Sequence, residues 1–313
     1  MKMPIDRRKF LRSSLGGAAL SLGASLLGTG RVLAAGAVRP LASTRLDDDL
    51  LLISGGGGNV VVARDAQGLV FVDGALKARS AEVVKLATRT LGARHAHTLL
   101  NTHWHPEVTG LNEQLGKEGA KIIAHENTRL WLSTDVQLQV DAKPIPRLPP
   151  KALPNATTYG SGKLDVGNQE LRYGYLSQAH TDGDLYALFV KSNVLVTGGV
   201  VAGGTWPTAD WVTGGWINGT VAGYKTLIDL CDANTRVVTA QGTKFYTRAE
   251  LEDERAMLAK LADQLGKMLR AGFAPADMLA ATPAKEYTEK MGDPTQFLTE
   301  SFKSLWPRFA PDA

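Results

Sequence analysis

The chain has 313 residues, of which 44% are hydrophobic and 21% charged, and this composition excludes a disordered or fibrous protein. Its formal net charge of +4 would favour a nucleic-acid or acidic-membrane partner. However, six cations and a single acid fall within residues 1–35, so the rest of the chain is close to neutral. We therefore expect no nucleic-acid partner.

Residues 1–35 resemble a twin-arginine export signal. The pair Arg7-Arg8 opens it, an uncharged glycine-rich apolar stretch follows at 13–30, and small residues end it at Ala34 and Ala35. The alternative is a membrane anchor, but the glycines make this stretch too weakly hydrophobic for one. No later stretch reaches the roughly 20 apolar residues of a spanning helix. We expect cleavage after Ala34 or Ala35 and a periplasmic or secreted protein without a stable membrane anchor.

The first half of the remaining chain alternates strands with helices. Short apolar runs bounded by Gly or Asp predict strands, and apolar residues at helical spacing predict helices. The predicted strands are 49–54, 59–64, 69–72, 97–101 and 120–124, and the predicted helices are 78–91 and 107–118. Five prolines between residues 144 and 154 then predict an extended linking segment.

The second half repeats this order and ends in helices. Its predicted strands are 163–166, 170–176, 187–190, 194–197 and 236–239, and its predicted helices are 221–231, 248–271 and 294–305. A Gly/Trp-rich stretch occupies residues 198–219. Two β-rich halves that each close with helices predict one α/β (α+β) domain over residues 36–313, built as a four-layer αββα sandwich.

Histidines follow two of the predicted strands. His103 and His105 come directly after the strand at 97–101, and His180 follows the strand at 170–176. Three neutral imidazoles that leave a fourth position open are how a catalytic zinc ion is held, with a water molecule whose pKa falls to about 7. The sequence therefore predicts a metal site. Three imidazoles suit zinc, with iron and manganese as alternatives.

The motifs around these histidines resemble those of the metallo-β-lactamase-fold metallo-hydrolase superfamily. The matching runs are Thr102-His103-x-His105 with Thr109-Gly110, Ala179-His180-Thr181-Asp182-Gly183-Asp184, and Thr197-Gly198. The resemblance covers roughly residues 42–310 and is closest to exported zinc hydrolases. It implies the αββα fold, a small-molecule substrate and one Zn²⁺ ion held by His103, His105 and His180.

The chain departs from the family pattern at the second metal site. Glu107 and Val108 stand where the family has Asp and His, Gly199 replaces a metal-bridging Asp, and Gln241 replaces the last His. Glu107 and Gln241 would be the donors left for a second ion. We therefore expect one metal ion at most.

Carboxylates near the histidines are the candidates for catalysis. Glu107 is placed to act as a general base toward the metal-bound water or to bind the ion itself. Asp182, with Asp184, is a candidate acceptor that orients an imidazole, and the alternative for both is ordinary loop capping. Asp73 is expected to cap a turn and support the loop of His103. Glu107 and Asp182 are thus the candidate catalytic residues.

Other residues of the chemical types used in catalysis have simpler explanations. His95, His97 and His125 are expected to be solvated or hydrogen-bonded, and Cys231 to be a buried, unreactive thiol. Four aromatic residues could line an apolar pocket, although packing against the sandwich is the preferred interpretation. They are Trp206, Trp211, Trp216 and Tyr224.

Two functions are compatible with the sequence. The leading hypothesis is an exported mononuclear zinc hydrolase that cleaves an ester, lactone or amide with a metal-bound hydroxide, with Glu107 assisting proton transfer. The alternative is a catalytically inactive family member that acts as a periplasmic ligand-binding protein. True β-lactamase activity is less favoured, because ligands of the second metal site are missing.

Overall fold

Two β-sheets form the centre of the structure, a computed structural model that describes residues 40–139 and 142–309. The predicted export signal lies outside these residues. Within the described part of the chain, no helix combines the length and the apolar character that a membrane crossing requires.

The first sheet contains seven strands in chain order. They are β1 (Ala42–Asp47), β2 (Leu50–Ser54), β3 (Val60–Arg64), β4 (Leu69–Val72), β5 (Ala96–Leu100), β6 (Lys121–His125) and β7 (Ala156–Thr158). The pairs from β1 to β4 are antiparallel, and those from β4 to β7 are parallel. The carboxyl ends of β4 to β7 therefore meet at one edge of the sheet.

The second sheet contains five strands in the order β12-β11-β10-β9-β8. They are β8 (Gly162–Val166), β9 (Gln169–Leu176), β10 (Asp184–Phe189), β11 (Val194–Val196) and β12 (Arg236–Val238). All pairs are antiparallel except β11 with β12.

Nine α-helices accompany the sheets in the described residues. Four lie in the first half: α1 (Ser80–Leu91), α2 (Pro106–Thr109), α3 (Asn112–Lys117) and α4 (Glu126–Leu132). Five lie in the second half, the first between β11 and β12 and the others after β12: α5 (Ile217–Asp229), α6 (Arg248–Arg270), α7 (Pro275–Ala280), α8 (Thr288–Met291) and α9 (Thr295–Phe309).

Alternating side chains of the strands explain why both faces of each sheet are covered. In β2, Leu50 and Leu52 lie in the core between the two sheets, whereas Leu51 and Ile53 lie in a separate core under α1. Successive residues of a strand point to opposite faces, so a strand that is apolar throughout needs a layer on each side.

Three apolar clusters correspond to the three interfaces of a four-layer sandwich. The cluster between the sheets joins residues of both, such as Val72 and Phe189. A second places Val83 and Leu115 of α1 and α3 against the outer face of the first sheet. The third joins the outer face of the second sheet to α5, α6 and the C-terminal helices. The predicted αββα architecture is therefore confirmed.

Most predicted elements are present, and the main differences are local. The helix predicted at 107–118 is two helices, α2 and α3, separated at Gly110 and Leu111. β10 begins at Asp184, three residues before the predicted start. Two short strands are additional to the predicted ones: β1 and β7 form the two edges of the first sheet, and β7 lies just after the proline-rich segment.

One backbone hydrogen bond joins the two sheets where the predicted site lies. The N–H of Leu185, at the start of β10, donates to the carbonyl of Thr102, just past the end of β5, at 2.7 Å. This bond brings the loop of His180 beside the loop of His103 and His105. The fold thus explains how histidines more than 70 positions apart in the sequence meet.

Gly110 should be essential for placing the loop that carries His103 and His105. A Cβ at this position would lie 2.3 Å from the backbone N of Lys77 and 2.4 Å from the carbonyl of Ala75. Gly110→Ala is therefore expected to lower the free energy of unfolding by about 3 kcal/mol in urea titrations. Gly160→Ala is the control, because a Cβ there meets nothing within 4 Å. Equal stability of the two variants would contradict this packing.

Candidate metal centre

Three imidazoles converge at the edge of the sheets. His103, His105 and His180 each offer one nitrogen, and these three atoms lie within 4.8 Å of one another. The Nε2 of His180 is 3.0 Å from the Nδ1 of His105. Two nitrogens bound to one zinc ion lie about 3.3 Å apart, since each Zn–N bond is about 2.0–2.1 Å. The predicted triad is therefore assembled, with one pair of nitrogens close to the spacing of a zinc site and the third within 4.8 Å.

The outer nitrogen of each imidazole has its own hydrogen-bond partner. The Nδ1 of His103 is 3.0 Å from the hydroxyl of Thr102, and the Nδ1 of His180 is 2.6 Å from the carbonyl of Thr208. The Nε2 of His105 is 3.0 Å from the carboxylate of Asp210. Partners of this kind fix the tautomer and direct the other nitrogen toward a metal ion.

The inner nitrogen of His103 has no hydrogen-bond partner within the described residues. Its Nε2 is buried, and the Oε1 of Glu107, 3.8 Å away, is too distant for a hydrogen bond. A buried polar atom without a partner costs about 1–3 kcal/mol. A metal ion would satisfy this nitrogen, so the donor set fits a metal on an observation independent of the sequence motif.

Asp73 supports the loop of His103, as predicted. It follows β4 with a left-handed φ of 66°, and its carboxylate accepts hydrogen bonds from the backbone N–H and the hydroxyl of Thr102 at 2.8 and 2.9 Å. Because Thr102 in turn contacts the Nδ1 of His103, the side chains of Asp73, Thr102 and His103 form one buried chain of contacts.

Glu107 lies beside two of the three imidazoles. Its Oε1 is 3.8 Å from the Nε2 of His103 and 3.6 Å from the Nδ1 of His105. Burial raises the pKa of this carboxyl, but the neighbouring imidazoles outweigh that effect and hold its pKa well below the usual value. Glu107 is thus an ionised group within reach of an ion held by the imidazoles.

Two carboxylates make the surroundings of His105 favourable for a cation. Burial alone would lower the pKa of His105, yet the hydrogen bonds and charges of Asp210 and Glu107 raise it to about 10. Burial lowers the pKa of His103, and it lowers that of His180 to about 3. Positive charge is therefore stabilised on the His105 side, where the same two carboxylates would attract a divalent ion.

The carboxylates of Asp182 and Asp184 are hydrogen-bonded to groups other than the imidazoles. Asp184 accepts from the backbone N–H groups of His180 and Thr181, at 2.6 and 2.8 Å, and therefore caps the loop. Asp182 accepts from the indole of Trp131 at 2.8 Å. Loop capping, the alternative to imidazole orientation, is what the contacts of Asp184 support, and a catalytic role of Asp182 stays a prediction.

Two of the three acceptors for the imidazoles are residues that the sequence did not single out. Thr208 and Asp210 belong to the Gly/Trp-rich stretch, which has neither a strand nor a long helix around them. Thr208 contributes a backbone carbonyl, which no side-chain pattern can reveal. Asp210 is an acid within a Trp- and Gly-rich run, and that isolation was the one available signal.

Three positions at which the family has ligands of a second metal ion carry no such ligand here, and at one of them a side chain would not fit. A Cβ at Gly199 would lie 2.3 Å from the Cδ2 and 2.7 Å from the Nε2 of His180, so the imidazole occupies the space of any side chain there. Val108 is buried, and Gln241 is exposed. The donors that the family uses for a second ion are thus replaced by the ring of His180, an apolar side chain and a surface amide.

His97, His125 and Cys231 have structural roles, and His95 is exposed, as expected. His97 is 3.1 Å from both carboxylate oxygens of Asp65, and His125 accepts from the N–H of Asn127 at the start of α4. Burial raises the pKa of the Cys231 thiol to about 11, which makes it unreactive.

Three of the four aromatic residues around the Gly/Trp-rich stretch pack in the core, as preferred from the sequence. Trp206 stacks on Phe297, with ring centroids 4.6 Å apart, and Tyr224 is fully buried. Trp216 packs against the same cluster. Trp211 differs, because 40% of it is exposed.

Comparisons with known proteins identify the fold. No protein-family model and no curated protein matches the chain. Among solved structures, the subclass B3 metallo-β-lactamase BJP-1 of Bradyrhizobium japonicum matches with a TM-score of 0.57 and 18% identity, over 75% of this chain and 98% of that one. A metallo-β-lactamase from Pontibacter korlensis matches with a TM-score of 0.55 and 14% identity, over 70% and 99%.

A structure of a variant of the sec-alkyl sulfatase PisA1 matches a larger share of this chain. Its TM-score is 0.64 and its identity 13%, over 87% of this chain and 51% of the sulfatase. At such identities the likeness establishes the fold, which is the metallo-β-lactamase fold, as the motifs around the histidines predicted.

Substitution of Gly199 tests whether the site has room for one ion only. Gly199→Ala is expected to displace the ring of His180 and weaken zinc binding about tenfold or more. Gly199→Asp, which restores the residue type of the family, should not add a second ion. Both are measured by metal stoichiometry and chelator competition.

Gly204→Asn is the matched control in the same stretch. Gly204 has a φ of 76°, which Asn tolerates, and a Cβ there meets nothing within 4 Å. It should bind zinc as the wild type does. A Gly199→Asp protein that holds two ions per chain would contradict the assignment.

Proposed function

We propose that this metallo-β-lactamase-fold protein is a metal-dependent hydrolase of small-molecule esters, lactones or amides. A single zinc ion would be held by His103, His105 and His180. The observation that carries the proposal is the set of three converging ring nitrogens, one of them buried without a partner, whose opposite nitrogens are each held by an acceptor.

A zinc ion in an open three-imidazole site supplies a Lewis acid and a water molecule whose pKa falls to about 7. The residues of the chain supply the rest. Thr102, Asp210 and Thr208 hold the rings in place, so the ligand nitrogens need no reorganisation when an ion or a substrate arrives.

Glu107 is the group that would accept a proton from the attacking water. Its low pKa keeps it ionised at neutral pH, as a base must be, and its Oε1 lies 3.6–3.8 Å from two ligand nitrogens. The same closeness allows it to bind the ion. The two roles differ in consequence, because a ligand contributes to metal affinity and a base does not.

The solved structures with this fold support hydrolysis as the reaction class. They include proteins named as metallo-β-lactamases and one named as a sec-alkyl sulfatase. β-Lactamase activity itself is less favoured here, since Val108 and Gly199 replace ligands of the second metal site.

We also propose that the chain is exported to the periplasm or beyond the cell. The proposal rests on the pair Arg7-Arg8, the glycine-rich apolar stretch after it and the small residues near Ala35.

Protein collected after export through its own signal should contain about one zinc ion per chain, and His180→Ala should lose it. Zinc added to the metal-free protein at 100 times the Kd should raise the free energy of unfolding by about 2.7 kcal/mol, because it binds the folded state alone. Less than about half an equivalent of metal, with no stabilisation by zinc, would remove the hydrolase assignment.

A panel of esters and lactones tests catalysis. On any substrate that the wild type cleaves, Glu107→Gln should lower kcat about 100-fold or more while the zinc content is retained, because a positioned base is lost. Glu118→Gln, on the exposed surface of the same region, is the control and should leave kcat unchanged.

Three other outcomes of this panel have defined meanings. Wild-type turnover by Glu107→Gln would contradict its role as a base. Loss of zinc from that variant would make Glu107 a ligand. Tight zinc binding without turnover of any substrate would favour the ligand-binding alternative.

A further inference from the structure

We infer that Asp210 is the positioning residue of the metal centre and that it links metal binding to the order of residues 208–215. This inference rests on the proposed function, since it requires that His105 bind the ion. It concerns the Gly/Trp-rich stretch, which the proposed reaction does not otherwise use.

A continuous chain of hydrogen bonds returns to the loop from which it starts. The indole N–H of Trp104 donates to the hydroxyl of Thr213 at 3.1 Å, and that hydroxyl donates to the Oδ2 of Asp210 at 2.6 Å. The same Oδ2 lies 3.0 Å from the Nε2 of His105. The first and last members, Trp104 and His105, are neighbours in sequence, and their rings meet edge to face at 4.6 Å.

This closed arrangement determines the orientation of the His105 ring. Because an ionised carboxylate is an acceptor only, the Nε2 of His105 must carry the proton, which leaves the Nδ1 free to bind the ion. Thr213 holds the carboxylate from the other side. Without Asp210, the ring could turn or change tautomer, and a neutral ligand nitrogen would no longer be fixed in the site.

The segment of Asp210 also holds the second loop of the site. The N–H of Asp210 donates to the carbonyl of His180 at 2.8 Å, and the carbonyl of Thr208 lies 2.6 Å from the Nδ1 of the same histidine. The N–H of Asp182 donates to the carbonyl of Thr213 at 2.9 Å. Residues 208–213 thus contact two of the three imidazoles from outside.

These contacts link metal binding to the order of residues 208–215. The segment 208–215 contains one short 3₁₀ turn, Trp211–Thr213, and its bonds to the loops of His105 and His180 add to the few hydrogen bonds within the segment. An ion that fixes the rings of His105 and His180 must therefore also stabilise the segment that holds them, and the reverse is equally true.

The test compares zinc affinity in Asp210 variants by chelator competition. Asp210→Ala is expected to bind zinc about 10–100-fold more weakly, and Asp210→Asn, which keeps an acceptor oxygen, should recover most of that loss. Cobalt substitution gives a second measurement, because the visible spectrum of the bound ion should change in Asp210→Ala and return toward the wild type in Asp210→Asn.

Asp65→Ala is the matched control. It also removes a carboxylate paired with a histidine, His97, but at the beginning of β5 rather than beyond its end. It should leave zinc affinity and the cobalt spectrum unchanged. Hydrogen exchange adds a readout of the linkage: zinc should slow exchange at the amides of Asp210 and Gly215 in the wild type, and Asp210→Asn should keep part of this protection.

Wild-type zinc affinity and cobalt spectrum in Asp210→Ala would overturn the inference. If Asp210→Ala does not fold, Thr213→Val provides the test, because it removes the hydroxyl that holds the carboxylate, and unchanged affinity there would equally overturn it. Failure of the proposed metal site is distinguishable, since the wild type itself would then bind no zinc and His180→Ala would change nothing. Zinc binding by the wild type without turnover would contradict hydrolysis alone and would leave the comparison of the Asp210 variants valid.

Discussion

The burial of three imidazoles at the junction of two sheets is the constraint on which the rest of the site depends. Burial leaves the Nε2 of His103 without a partner and favours the neutral form of His103 and His180. A buried polar atom must be satisfied, and neutral imidazoles are what a metal ion requires. The same burial therefore makes the unliganded arrangement costly and the metal-bound one favourable.

Each ring is held by a different part of the fold, which explains why the site needs the whole sandwich. Thr102 and Asp73 hold His103 at the carboxyl ends of β5 and β4, and the bond from Leu185 to Thr102 brings in the loop of His180. Asp210, from the Gly/Trp-rich stretch, then holds the ring of His105. Catalytic geometry, fold stability and order of the Gly/Trp-rich stretch are in this way parts of one network.

The sequence was sufficient to predict an element or a ligand where the residue type and its spacing both point to the same role. Apolar runs revealed most strands, and His103, His105 and His180 lie in motifs that identify both the fold and the site. The sequence was insufficient where the role of a residue depends on contacts with residues distant in the chain. The break at Gly110 follows from backbone contact with Ala75 and Lys77, which are distant in sequence, and the carbonyl of Thr208 has no side-chain signature. Asp210 had no signal in the sequence beyond being the one acid of the Gly/Trp-rich stretch, whereas Asp182 and Asp184, beside a ligand in sequence, hold indole and backbone groups instead.

The central claim is that three imidazoles and a single ion form the working site. X-ray absorption of the zinc-loaded wild type at the zinc edge tests it most directly, because it reports the ligands and any neighbouring metal without a substrate. The account predicts three imidazoles and one oxygen donor at about 2.0–2.1 Å and no metal–metal scattering. Fewer than three imidazole ligands, or a second metal within about 4 Å, would contradict it.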